Sequence, residues 1–187
     1  MVMVGPDGVG KSSLADALLE RSPVRAGYFH FRPPLRGSLP TRVPTDFARP
    51  KHHSPTWPPV GWIRLGVAFA RFSLGYRRVV QPLVQDGGLV VGDRWAYGYL
   101  VQPAALRFGG PPWLARLVVG WLPSPDLVVN LVAPAAEIHR RKQELTEEEI
   151  FDELRAWASL PAPRILTVDA LRSPRDMAAE ILSELAL

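Results

Sequence analysis

Apolar residues along this chain fall into short unbroken runs. Longer stretches separate them, in which apolar residues recur every three or four positions. Met1–Val4, Arg25–Phe31, Gly88–Asp93, Asp126–Val132 and Arg164–Asp169 are runs of the first kind. They are apolar through their length rather than alternating, as in strands buried on both faces. The intervening stretches predict helices. Ser13–Glu20 has helical spacing, and Gly61–Gln85 predicts a long helix with Trp62, Leu65, Phe69, Phe72 and Tyr76 along one face. Pro82 is expected to end or kink that helix. Further helical segments are predicted over Trp95–Arg107 and Pro112–Leu122, then a charged helix from Pro134 to about Ser159 and a closing helix over Pro174–Leu187. Buried strands alternating with helices predict an α/β fold: five parallel strands with helices on both faces, and ligands at the carboxyl ends of the strands. Between Pro33 and Pro59 the chain is rich in proline and basic residues and has no period, which predicts a long loop. No repeat and no domain boundary breaks the pattern, so residues 1–187 are expected to form a single domain.

Composition narrows the partners. A chain of 187 residues suffices for one domain with a full core and is short for two. Apolar residues make up 47%, which excludes wholesale disorder. With 22 Lys+Arg against 18 Asp+Glu, the net charge of +4 suits a small anionic ligand and is a weak footprint for nucleic acid. The absence of cysteine excludes a disulfide framework, a thiolate metal site and a thiol nucleophile. The most apolar stretch, Val60–Tyr76, is interrupted by Arg64 and Arg71, so no membrane span is expected. A cleaved leader is not expected either, and the expected location is cytoplasmic.

Chemistry enters at residues 5–12. Gly5-Pro6-Asp7-Gly8-Val9-Gly10-Lys11-Ser12 spell G-x-x-x-x-G-K-[ST], with an apolar strand before and a helical run from Ser13 after. Glycines let successive backbone N–H groups turn inward around phosphate oxygens. The lysine reaches the outer phosphates, the serine hydroxyl can hold Mg²⁺, and the helix N-terminus favours negative charge. Lys11 is expected to face solvent without ligand, so that Lys11→Ala removes activity and keeps the fold. Asp93-Arg94 ends an apolar strand. Asp93 is expected to hold Mg²⁺ directly or through water and Arg94 to grip a phosphate; a plain strand-end salt bridge is the alternative. His52-His53 point opposite ways in an extended loop and have no evident third ligand, so a surface loop or an acceptor contact is expected there rather than a metal site. Trp57, Trp62 and Phe69 read as core residues, whereas Trp95, beside Arg94, is a candidate for stacking on an acceptor ring.

G-P-D-G-V-G-K-S, then H-F-R-P after the second strand, G-D-R-W after the third and Ile138-His139-Arg140-Arg141-Lys142 after the fourth resemble the thymidylate kinase family, in order and spacing, over nearly the whole chain. The likeness is to a divergent branch with D-R-Y…D-P-R-x-R-x-G-G and R-K-x-E-L-x-x-E-E. It implies a three-layer P-loop NTPase fold of nucleoside monophosphate kinase type, with an acceptor-side loop about 33–60 and a lid about 134–150. It implies ATP and Mg²⁺ as the cofactors. Gly5, Asp7, Gly8, Val9, Gly10, Lys11, Ser12 and Ser13 would surround the ATP phosphates, with Ser12 and Asp93 at the metal. Asp7, Arg32, Arg94, Trp95 and Gln102 would meet a small-molecule acceptor. Lys11 and Arg94, with Arg140 or Arg141 from the lid, would stabilise the transferred phosphoryl, since Val9 leaves the loop without an arginine. A homodimer through helices beside the third strand is also implied; Leu114–Trp121 fits such a surface, or the core.

Departures concentrate on the acceptor side. Trp95 replaces the family's Tyr or His, the following serine and tyrosine–glutamine–glycine are missing, and Gln102 stands one position out of register for the family's glutamine. Val132 stands where a carboxylate often ends the fourth strand. The expectation is an ATP-dependent phosphotransferase acting on a small, phosphorylated acceptor, leaning away from thymidine monophosphate. The alternatives are a sugar or sugar-phosphate kinase on the same fold, and a nucleotide-binding switch with little kinase activity.

Overall fold

The computed structural model describes residues 1–44 and 57–187. Strands and helices alternate along the chain: β1 (Val2–Val4), α1 (Lys11–Arg21), β2 (Ala26–His30), α2 (Pro58–Gly75), α3 (Gln81–Gln85), β3 (Leu89–Asp93), α4 (Gly98–Val101), α5 (Pro112–Gly120), β4 (Val128–Val132), α6 (Ala135–Arg141), α7 (Glu147–Ala158), β5 (Ile165–Asp169) and α8 (Pro174–Glu184). The five strands form one parallel sheet in the order β2-β3-β1-β4-β5. This is the α/β architecture read from the apolar runs. The chain adds strands on one side of β1 and then on the other, so the order reverses there and a crevice opens beyond the strand ends. Register puts Met3 beside Asp93 and His30 beside Asp93, which aligns the carboxyl ends of β1, β2 and β3.

Alternation within β1 to β4 feeds two cores, whereas β5, at the sheet edge, is not buried on both faces as expected: Leu166 and Val168 pack inward and Ile165 and Thr167 are exposed. Met3 of β1 and Met1 just before it, with Val129 and Leu131 of β4, pack against Leu14 and Leu18 of α1, Ile138 of α6 and Ile181 of α8. Val2, Val4, Val90 and Val128 face the other way, onto Leu65 and Phe72 of α2, Ala115 and Val119 of α5, and Trp157 of α7. Each large side chain buried this way contributes about 1.5–3 kcal/mol, so the sheet is a rigid base for whatever its ends carry.

Two helix expectations need correction, and one is decided between its alternatives. The helix expected over Gly61–Gln85 reaches Gln85 through a wide π-helical turn over Tyr76–Val80 and does not end at Pro82. There the Gln81 N–H donates to the Tyr76 carbonyl, and the looser turn accommodates the proline ring. Trp95–Arg107 is not one helix but a 3₁₀ turn over Trp95–Tyr97, a single turn of α4, and turns beyond it. Arg94 and Trp95 carry positive φ, and Pro103 holds Gln102 out of the helical region. The charged helix expected from Pro134 to Ser159 is two helices. The chain extends at Lys142, and Thr146 starts α7 with a capping box closed by Glu149. Pro33–Ser38 and the residues on to 44 form no helix or strand, and His52 and His53 lie outside the described residues. Among the described residues, no helix is long and apolar enough to cross a membrane.

Candidate functional site

The glycine loop joins β1 to α1 at the crevice. Gly5, Gly8 and Gly10 have φ of +136°, +87° and +110°, a region that side-chain-bearing residues rarely occupy. At Gly8 the need is also spatial, because an added Cβ would lie 2.8 Å from Cβ of Lys142. Helix α6 therefore ends on top of the loop. Val9 is buried under it, while Ser12 and Ser13 stand exposed in the first turn of α1.

Lys11 corrects an expectation. Its side chain does not face solvent; it folds back under the loop, where Nζ donates to the carbonyls of Gly5 at 2.9 Å and Pro6 at 2.7 Å. Burial pulls its ammonium below the usual lysine range, while Asp93 and Asp7 oppose that by favouring the charge. Asp7 Oδ1 is 3.9 Å from Nζ.

Asp93, at the end of β3, is buried. Its Oδ2 receives a hydrogen bond from His30 Nδ1 at 3.0 Å and faces the Tyr28 hydroxyl at 3.4 Å. Its Oδ1 is buried and has no hydrogen-bond partner. Burial pushes this carboxyl up, but the His30 hydrogen bond and the charges of Lys11 and Arg94 outweigh it and hold it below the usual range. Arg94 follows in a strained left-handed conformation, φ 69°. The strain aims its guanidinium across the crevice, where Nη2 donates to Asp7 and Nη1 to Gln102 Oε1 at 3.2 Å. Burial opposes ionisation of Asp7, but Arg94, Lys11 and Lys142 overcome it and hold its carboxyl at about 2.

Beyond Arg94 lies a cavity of about 270 Å³ lined by His30, Phe31, Arg32, Arg94, Gly98, Gln102, Ala105 and Leu106. Arg32 rests over the Phe31 ring at 4.8 Å and donates from Nη2 to the Tyr99 hydroxyl at 3.2 Å, while its Nε is buried without a partner. The cavity thus has two fixed guanidinium groups, one imidazole and an apolar wall, a lining suited to an anion joined to a less polar body.

Asp7, Lys11, Asp93 and Arg94 meet around one crevice, with Arg32, Gln102 and His30 on its cavity. Three expected residues stand elsewhere. Trp95 is buried against Phe29 and Phe72, with ring centroids 5.7 and 4.8 Å away, and takes no part in lining this cavity. Arg140 and Arg141 both turn to Glu137, and Arg141 also reaches the Ala170 carbonyl at 3.4 Å. The basic residue of this segment that stands over the loop is Lys142, whose Nζ is 3.8 Å from Asp7 Oδ2. Trp57 and Trp62 are exposed rather than core, and Phe69 is half-buried beside Trp121.

Sequence reasoning passed over His30 and Glu153. His30 was visible as a polar residue closing an apolar strand. Glu153 occupies an inward position of α7 between Ile150 and Trp157 while Phe151 points outward, a reversal that a helical wheel of residues 147–158 reveals. No protein-family model matches this chain, and no curated protein matches it.

Proposed function

We propose that this chain is an ATP-dependent phosphotransferase of P-loop, nucleoside monophosphate kinase-like type, which moves the γ-phosphoryl of ATP to a small acceptor held in the cavity beside Arg94. The observation that carries the reading is one juxtaposition. A complete G-x-x-x-x-G-K-S loop, flanked by strand and helix, shares a crevice with a buried strand-end aspartate, and a cavity with two arginines adjoins it.

Backbone N–H groups of the loop and the α1 N-terminus would cradle the β- and γ-phosphates, with Lys11 swinging from the Gly5 and Pro6 carbonyls onto them. The exposed Ser12 hydroxyl and the partnerless buried Oδ1 of Asp93 fit Mg²⁺, a hard cation that takes oxygen ligands. When bound, the ion supplies positive charge against the phosphate oxygens. Arg94 would trade Asp7 or Gln102 for the transferring group. Arg32 fits an acceptor that already carries phosphate, because its buried Nε lacks a partner and its ring contacts fix the guanidinium plane. A charge-stabilising arginine is worth about 10³–10⁵ in rate in such transfers, so closure of α6 to present Arg140 or Arg141 belongs to the same reading. A homodimer would use the outer faces of α2 and α5, where Ile63, Val67, Trp113, Leu117 and Trp121 are exposed.

The test is ADP formation from ATP·Mg²⁺ with thymidine monophosphate, other nucleoside monophosphates, sugars and sugar phosphates. Turnover with one nucleoside monophosphate is the expected result. Turnover with a sugar or sugar phosphate alone would reassign the acceptor. ATP binding without ADP formation from any acceptor would make the chain a nucleotide-binding switch and defeat the reading.

A further inference from the structure

Helix α7 places a carboxylate where its spacing calls for an apolar side chain. Ile150 and Trp157 of the same stripe are buried in the two cores, and Glu153 lies between them, half-buried, while Phe151 is exposed. A carboxylate held away from water is costly unless neighbouring groups compensate it, so its partners matter. Glu153 Oε1 accepts from Gln102 Nε2, across 51 residues of sequence. Gln102 caps α4 and turns its other amide atom, Oε1, to Arg94 Nη1 at 3.2 Å. Arg94 in turn donates to Asp7 of the glycine loop. The result is a continuous line of hydrogen bonds from α7 to the loop, running along the wall of the cavity.

An amide offers a donor at one end and an acceptor at the other. Left alone, Gln102 could present either end to Arg94, and an amide N–H₂ against a guanidinium is repulsive. Ionised Glu153 accepts only, so it holds the N–H₂ and leaves the carbonyl for the arginine. We propose that Glu153 is a positioning residue that acts through Gln102, fixing its amide so that Arg94 stays aimed at the crevice. The role in turnover rests on the phosphotransferase reading; the hydrogen-bond line does not.

The charged groups facing Glu153 are Arg94 at the end of β3, Asp7 of the loop and Lys11 of α1. Burial pushes the Glu153 carboxyl up, against the Gln102 hydrogen bond and Arg94. Once protonated, Glu153 loses its charge and gains a donor, so its hold on the Gln102 N–H₂ weakens and only Arg94 still orients the amide.

Side-chain ¹⁵N–¹H correlation spectra of the whole chain test this without any ligand. In the wild type, the Gln102 amide signals should shift through one titration with its midpoint above the usual 4.5 for glutamate. Glu153→Gln should abolish that titration, and Glu153→Ala or Gln102→Leu should shift the Arg94 Nη–H signals, since Nη1 is the atom that donates to Gln102. In ADP formation with ATP·Mg²⁺, Glu153→Ala should lower kcat by about tenfold to a hundredfold, with KM for ATP nearly unchanged, as small misplacements of a catalytic group do. Gln102 signals that ignore pH, or an Arg94 signal the same in wild type and Glu153→Ala, would overturn the positioning role. Wild type that forms no ADP but keeps the titration would defeat the functional reading and leave the hydrogen-bond line standing.

Discussion

Asp93→Asn separates a charge from a shape. The side chain is buried, and an asparagine can still accept from His30 Nδ1, so packing and that hydrogen bond survive. What disappears is the negative charge facing Lys11 and Arg94, both of which are themselves buried. Removing one partner of a buried ion pair costs about 3–5 kcal/mol. Here the loss is partial, because Asp7 still faces Lys11 at 3.9 Å and bonds to Arg94. About 2 kcal/mol of lost stability is therefore expected. Asp93→Ala should cost a further ~1–3 kcal/mol by leaving the His30 donor unmatched. Urea unfolding followed by tryptophan fluorescence reads both values, provided the m-value is unchanged. The pH dependence has a definite sign. The folded-state carboxyl lies below its ordinary 3.8, so its contribution is full above that value and is lost as pH falls through the folded one. The gap between wild type and Asp93→Asn should be constant at neutral pH and close on acidification below about 3.8. A variant as stable as wild type, or a gap that widens in acid, would show that the Asp93 charge is not what balances Lys11 and Arg94.

Thr146→Ala removes the side-chain half of the α7 capping box, the Oγ1 that accepts from the Glu149 N–H, and should cost about 1 kcal/mol in urea unfolding, with faster amide exchange at residues 147–149. Gly8→Ala should lower ATP affinity measured by calorimetry, since its Cβ meets Lys142 and its φ is +87°; Gly10→Ala, with open space around it, should lower it through the backbone strain of φ +110° alone. Arg32→Ala should raise KM for a phosphorylated acceptor at least tenfold, roughly the worth of one charged hydrogen-bonding group, while sparing KM for ATP. The proposed homodimer predicts that wild type sediments as a dimer and Leu117→Glu as a monomer; a dimer unchanged by the substitution would remove α5 from the interface, and a monomeric wild type would remove the dimer.

Much of the fold was legible because a parallel sheet buries both faces, so its strands appear as unbroken apolar runs such as Leu127–Leu131. The loop was legible because its glycines and lysine are local in sequence. The break between α6 and α7 could have been read from Thr146-Glu147-Glu148-Glu149, whose capping signal lay inside a stretch read as one helix. The chain after β3 could not: the positive φ of Arg94 and Trp95 is imposed by tertiary packing, and Trp95 is buried by Phe29 and Phe72, residues remote in sequence. The neighbours of Arg94 were half legible. Asp7 and Gln102 were candidates, but Glu153 joins them only through the docking of α7 on α4.

The most direct measurement follows label from γ-labelled ATP·Mg²⁺ in wild type and Lys11→Met, over the same panel of acceptors. Label appearing on one small acceptor with wild type, and lost with a folded Lys11→Met, is the expected result. Label that never leaves ATP, or leaves it equally fast in both proteins, would contradict the assignment of phosphoryl transfer to this loop.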